Sequence, residues 1–75
     1  MALIQSIEKE NKNFKKQEPV ETTYSARIID GEILFQLNMY GSVNRQDTGK
    51  VSQVIQLNKA SATELIRLLN ATFLL

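Results

Sequence analysis

The chain has 75 residues, with 9 Lys and Arg against 8 Asp and Glu and a formal net charge of +1. A chain of this length forms one domain and buries only about 60% of its unfolded-state surface, so further stability is expected to come from self-association. The absence of Cys and His excludes disulfide bonds, the usual zinc sites and Ser–His or Cys–His nucleophiles. The near-zero net charge excludes a general attraction to polyanions.

The first 20 residues differ in composition from the rest. Residues 8–20 are rich in charged and amide side chains and include Pro19, which favours a polar tail. Ahead of them, Leu3, Ile4 and Ile7 have the spacing of one amphipathic helical turn, with a frayed terminus as the alternative. The sequence has neither a signal-peptide pattern nor a bilayer-length apolar run, so we expect a cytoplasmic protein without a membrane partner. The predicted division is an N-terminal segment, 1–20, and a β-sheet plus helix domain, 21–75.

A β-hairpin is predicted around Asp30-Gly31, a dipeptide that favours a two-residue turn of the primed type. Pairing Ile29 with Glu32 then places the apolar side chains of both strands on one side of the sheet, named here the apolar face. The apolar face consists of Tyr24, Ala26, Ile28, Ile33, Phe35, Leu37 and Met39.

The opposite side of the hairpin, named the amide-rich face, carries mostly polar side chains. It consists of Ser25, Arg27, Ile29, Glu32, Leu34, Gln36, Asn38 and Tyr40. After a polar loop, 41–50, residues 51–57 alternate as a further strand, with Gln56 on this face. Amides can hydrogen-bond base edges, an aromatic ring can stack on a base and cations can meet phosphates. An ordinary solvated sheet face with no ligand explains these polar residues equally well. The candidate nucleic-acid contacts are Arg27, Gln36, Asn38, Tyr40, Arg45, Lys50, Ser52 and Gln56.

One C-terminal helix is predicted to about residue 73. Asn58 is a good N-cap and residues 61–64 also fit a capping box, so two starts remain open. A stripe formed by Ala62, Leu65, Ile66, Leu69 and Phe73 is expected to cover the sheet. A second apolar group, Leu68, Ala71 and Leu75, is explained most simply by a homodimer packed helix to helix. The expected dimer-interface residues are Leu65, Leu68, Leu69, Thr72, Phe73 and Leu75.

The predicted fold class is therefore α+β, a curved antiparallel β-sheet followed by one C-terminal α-helix. Acidic residues do not pair into a catalytic site, because Asp30 lies in a turn, Asp47 in a loop and several glutamates in the tail. Gly49-Lys50 lacks the other residues of a phosphate-binding loop, and the loop lacks the spaced acidic ligands of a calcium site. We expect no enzyme activity, no metal site and no cofactor.

The order of elements resembles the positive cofactor four family of transcriptional coactivators and, more distantly, the whirly proteins, over about residues 24–69. The resemblance implies a whirly-like fold, a homodimer formed through the helices, and single-stranded DNA bound over the open sheet faces. Asp30, Glu32 and Asn38 stand where that family has basic residues, which predicts weak affinity and a shallow salt dependence. The matching residues are Ser25-x-Arg27, Gly31, Ile33-Leu34-Phe35, Tyr40, Gly49-Lys50 and Ile55-Gln56-Leu57-Asn58.

Two functions follow from these patterns. The first is a single-stranded nucleic-acid-binding homodimer that uses the amide-rich face. The alternative is a small protein-interaction module, a regulator or inhibitor that docks through the same face or through an edge strand and binds no nucleic acid.

Overall fold

The computed structural model describes residues 1–41 and 51–75, which form four strands and one helix. The four strands make one sheet with the order β1-β4-β3-β2, and the predicted α+β class with one C-terminal helix is confirmed. Arg45 and Lys50, which were expected to contact phosphates, lie outside the described residues. The elements are β1, Ala2–Leu3; β2, Thr22–Ile29; β3, Glu32–Tyr40; β4, Val51–Leu57; and α1, Lys59–Phe73.

The hairpin between β2 and β3 has the predicted turn and register. Asp30 and Gly31 both have positive φ, 53° and 76°, as a primed two-residue turn requires. Ile29 pairs with Glu32, and the same register continues without a shift to the pair of Thr22 and Met39. The turn therefore determines which side chains share each face of the sheet.

Replacing Gly31 by alanine is expected to lower the free energy of unfolding by about 1 kcal/mol. A Cβ at this position would meet nothing within 4 Å, so the loss arises from the left-handed backbone alone. Urea unfolding followed by circular dichroism measures it. Asp30→Asn is the control and should stay within about 0.5 kcal/mol, because Asn also tolerates this conformation. A G31A variant as stable as the parent would contradict the assigned turn.

The N-terminus adds a short fourth strand, so the sheet is mixed and not wholly antiparallel as predicted. Ala2 pairs in parallel with Ile55 and Leu3 with Gln56, and the Ile4 N–H donates to the Gln56 carbonyl at 2.9 Å. The expected alternatives here were a helical turn or a frayed end. The strand is favoured because the outer edge of β4 offers backbone groups that would otherwise lack partners within the protein.

The helix begins directly after β4, and Asn58 is its N-cap. The Asn58 Oδ1 accepts from the Ser61 N–H at 3.0 Å, and the Ser61 Oγ accepts from the Asn58 N–H at 3.0 Å. This reciprocal capping box selects the first of the two predicted starts. At the other end, Leu74 closes the helix in the left-handed conformation.

The predicted covering of the sheet by the helical stripe is wrong. The helix packs against β4, and within residues 1–41 and 51–75 Leu57 is the one hydrophobic residue that is nearly buried, at 5% exposure. Ile66, Leu69 and Phe73 remain exposed. The helix contacts the sheet chiefly along β4, and of its later turns Leu65 and Leu68 are half-buried. The apolar face is consequently left largely uncovered.

Candidate functional site

Three amide side chains on the amide-rich face form one hydrogen-bonded chain across the sheet. Gln56 Nε2 donates to Gln36 Oε1 at 2.8 Å, from β4 to β3. Gln36 Nε2 donates to Asn38 Oδ1 at 2.6 Å, and Asn38 Nδ2 makes a long contact of 3.4 Å with Thr23 Oγ1 on β2. This chain of Gln56, Gln36, Asn38 and Thr23 is named the amide ladder.

The ladder follows from strand register. Gln36 lies directly opposite Gln56, and Asn38 lies directly opposite Thr23. Gln36 and Asn38 are two residues apart on one strand, so both project from the same face. Alternation and pairing together place the four side chains in one row across β4, β3 and β2.

The ladder keeps unused hydrogen-bonding capacity. Each amide nitrogen carries two N–H donors, and the ladder uses one of them on Gln56, Gln36 and Asn38. The three amides are half-buried, and their mutual bonds restrict their rotation. The ladder therefore has donors left for a polar ligand that contacts this face.

Arg27 is the one cation on the amide-rich face among the residues that the structure describes. Arg27 is exposed and pairs with Leu34. It lies two residues along β2 from Ser25, which is opposite Gln36. Within the described ranges no carboxylate lies within 4 Å of Arg27. Its guanidinium is thus available to an anionic group lying across the ladder.

Tyr40 and Ser52 lie at the other end of the face, beside a break in register. The register shifts between Met39 and Tyr40, so that Tyr40 pairs with Val51. The Ser52 hydroxyl donates to the Met39 carbonyl at 3.1 Å, so it is used at this irregularity. Of the predicted contacts, Gln36, Asn38 and Gln56 are hydrogen-bonded to one another. Arg27, Tyr40 and Ser52 lie on the same face but outside this chain of bonds.

Thr23, which ends the ladder, was not among the predicted contacts. The hairpin register that the Asp30-Gly31 turn predicts already places Thr23 opposite Asn38. Extending that register to the first residues of β2 would have found this contact.

A separate ion pair lies on the helix, away from the sheet. Arg67 donates to both carboxylate oxygens of Glu64, and this hydrogen bonding holds the pKa of Glu64 below its usual value. It also raises the pKa of Arg67. Both groups are exposed to solvent, so the pair contributes little to stability.

The part of the chain that the structure describes contains no cluster of three or more acidic groups that could hold a metal ion. Within the same ranges, no helix has both the length and the apolar character that are needed to cross a membrane. The arrangement on the amide-rich face can donate and accept hydrogen bonds in a row and can meet one anion at Arg27. Comparisons of the chain with protein-family models, with curated proteins and with solved structures each found no match.

Proposed function

We propose that this chain is a homodimer that binds single-stranded nucleic acid across the amide-rich face. The amide ladder is the observation that supports the proposal. Three oriented amides with spare donors suit the edges of unpaired bases, which present both donors and acceptors. The face is also free of the helix, which packs at the other side of the sheet near Ile33 and Phe35.

Phosphate contacts are proposed to be few. Arg27 supplies one from the face itself, and Arg45 and Lys50 follow β3 in the sequence. Each phosphate contact on a single strand contributes about 0.7 to the slope of log affinity against log salt. Three such contacts give a slope near −2, and the lysines of residues 8–20 add to it if they take part.

Fluorescence anisotropy with a labelled 12-nucleotide single strand at low salt tests the proposal. Gln36→Leu is expected to weaken binding about tenfold, because it removes the central amide of the ladder. Gln53→Leu is the matched control and should leave binding unchanged. Gln53 lies on the same strand as Gln56 and pairs with Met39, on the apolar face.

Two results would overturn the proposal. One is the absence of oligonucleotide binding at tens of micromolar protein. That result would favour the alternative function, a protein-interaction module. The other is equal weakening by Gln36→Leu and Gln53→Leu, since the ladder would then have no special part. Circular dichroism of both variants confirms that the fold is unchanged.

A further inference from the structure

Two exposed apolar surfaces lie beside each other on the side of the sheet away from the ladder. The first is the ridge, formed by Ile66, Leu69 and Phe73 along one side of the helix. The second is the groove, a concave site of about 240 Å³ between the sheet and the start of the helix. The groove is lined by Ile33, Phe35, Leu57, Asn58, Lys59 and Ala62.

The core of a single copy is too small for a stable domain. Leu57 is the one hydrophobic residue under a tenth exposed in the described ranges, whereas Ile33 on the groove is 67% exposed. Chains of this size generally need a metal, a disulfide or association, and the sequence has no Cys or His. A second copy of the same chain is the partner that is always present at matching concentration.

The ridge and the groove belong to one continuous surface. Ala62 lines the groove, and Ile66, Leu69 and Phe73 follow it at steps of four, three and four residues on the same side of the helix. A twofold interface uses the same patch on both subunits, so that patch must complement itself. A patch with a convex half and a concave half meets this requirement.

The volume and the charge of the groove also suit an apolar side chain from the ridge of a second copy. A dry apolar cavity of about 150 Å³ accepts a benzene ring, and the groove exceeds that volume. The stacked rings of Tyr24 and Phe35, 5.5 Å apart, offer an aromatic surface beside it. Lys59 is the one charged residue in the lining, and its apolar stem can lie along the rim.

The exposed apolar area approaches what a stable dimer buries. At roughly 100 Å² for each large exposed side chain, six of them give about 600 Å², most of the ~800 Å² per partner of a standard interface. The six are Tyr24, Ile28, Ile33, Ile66, Leu69 and Phe73.

We infer that Phe73 of each copy occupies the groove of the other, so that the helix of one subunit lies against the sheet of its partner. The inference rests on the homodimer proposed above and replaces helix-to-helix contact with reciprocal helix-to-sheet contact. It covers the apolar face of both copies. Both amide ladders stay exposed on the outside of the dimer.

Sedimentation equilibrium tests the ridge. The parent chain is expected to have twice the 8.5 kDa mass of one chain at micromolar concentration. Phe73→Asp, at a residue 65% exposed in the single copy, should raise the dissociation constant at least 100-fold. Leu74→Asp is the matched control, because Leu74 is adjacent and more exposed but lies off the ridge. It should leave the dimer unchanged.

Mixing two variants tests the pairing itself. Ile33→Lys alone should also disrupt the dimer, but equal amounts of F73D and I33K should form a heterodimer after joint refolding. In that heterodimer one ridge-in-groove contact is unchanged and the other joins Asp to Lys. Sedimentation and circular dichroism of the mixture therefore report recovery even where each variant alone fails to fold.

The outcomes separate the two proposals. A parent chain that sediments as a monomer would overturn both the homodimer and the groove contact, whatever the oligonucleotide titration gives. A parent dimer that F73D disrupts, but that mixing with I33K does not restore, would overturn the groove contact and leave the homodimer standing. Restored dimer in the mixture, with none in either variant alone, supports the inference.

Discussion

Replacing Leu57 by alanine is expected to lower the free energy of unfolding by about 2 to 4 kcal/mol. Leu57 is 5% exposed, pairs with Phe35 across β4 and β3, and lies where the sheet meets the start of the helix. Its loss removes buried apolar surface and leaves space that its neighbours cannot fill. Because a small domain has a stability of only a few kcal/mol, the variant should be largely unfolded at 37 °C.

Thermal and urea unfolding by circular dichroism, at one fixed protein concentration, measure this loss. The concentration is fixed because association contributes to apparent stability. Leu74→Ala makes the same change at a residue that is 89% exposed and should cost less than about 0.5 kcal/mol. Equal effects at Leu57 and Leu74 would show that the junction of sheet and helix is not where stability is concentrated.

The hairpin was predictable from sequence because its turn leaves little freedom. Asp30 and Gly31 both tolerate positive φ, and a two-residue turn fixes every pairing along the flanking strands. The ladder then depends on one further register, between β3 and β4, which places Gln56 opposite Gln36. Alternation predicted the shared face correctly, but it did not predict that the amides bond to one another.

The position of the helix relative to the sheet was not predictable in the same way. Periodicity identifies which residues share a stripe, and Ile66, Leu69 and Phe73 do share one. It does not say which surface faces that stripe. The helix contacts the sheet chiefly along β4, so Ile66, Leu69 and Phe73, which were assigned to the core, are exposed in a single copy.

The N-terminal strand escaped prediction for a different reason. Two residues are too few to show alternation, and Ala2 and Leu3 gain their strand conformation from the edge of β4. Tertiary pairing determines such a segment, and local preference does not.

Replacing Asn58 by alanine is the second large change, with an expected loss of about 2 kcal/mol in the free energy of unfolding. Asn58 Oδ1 satisfies the Ser61 N–H at the start of the helix and also accepts from the Ser61 hydroxyl at 3.1 Å. Ser61 is buried, so its freed backbone N–H would not regain full contact with water. The expected consequence is an unwound first turn and a looser contact between the helix and β4.

Urea unfolding of Asn58→Ala, Ser61→Ala and the double variant forms a cycle that isolates the capping box. The sum of the two single losses should exceed the loss in the double variant by at least about 0.5 kcal/mol, because both single variants remove the bond between the Ser61 hydroxyl and Asn58 Oδ1. Asn70→Ala is the matched control on the exposed part of the helix and should be neutral or slightly stabilising. Strict additivity of the two cap variants would mean that Asn58 and Ser61 act independently and would contradict a coupled capping box.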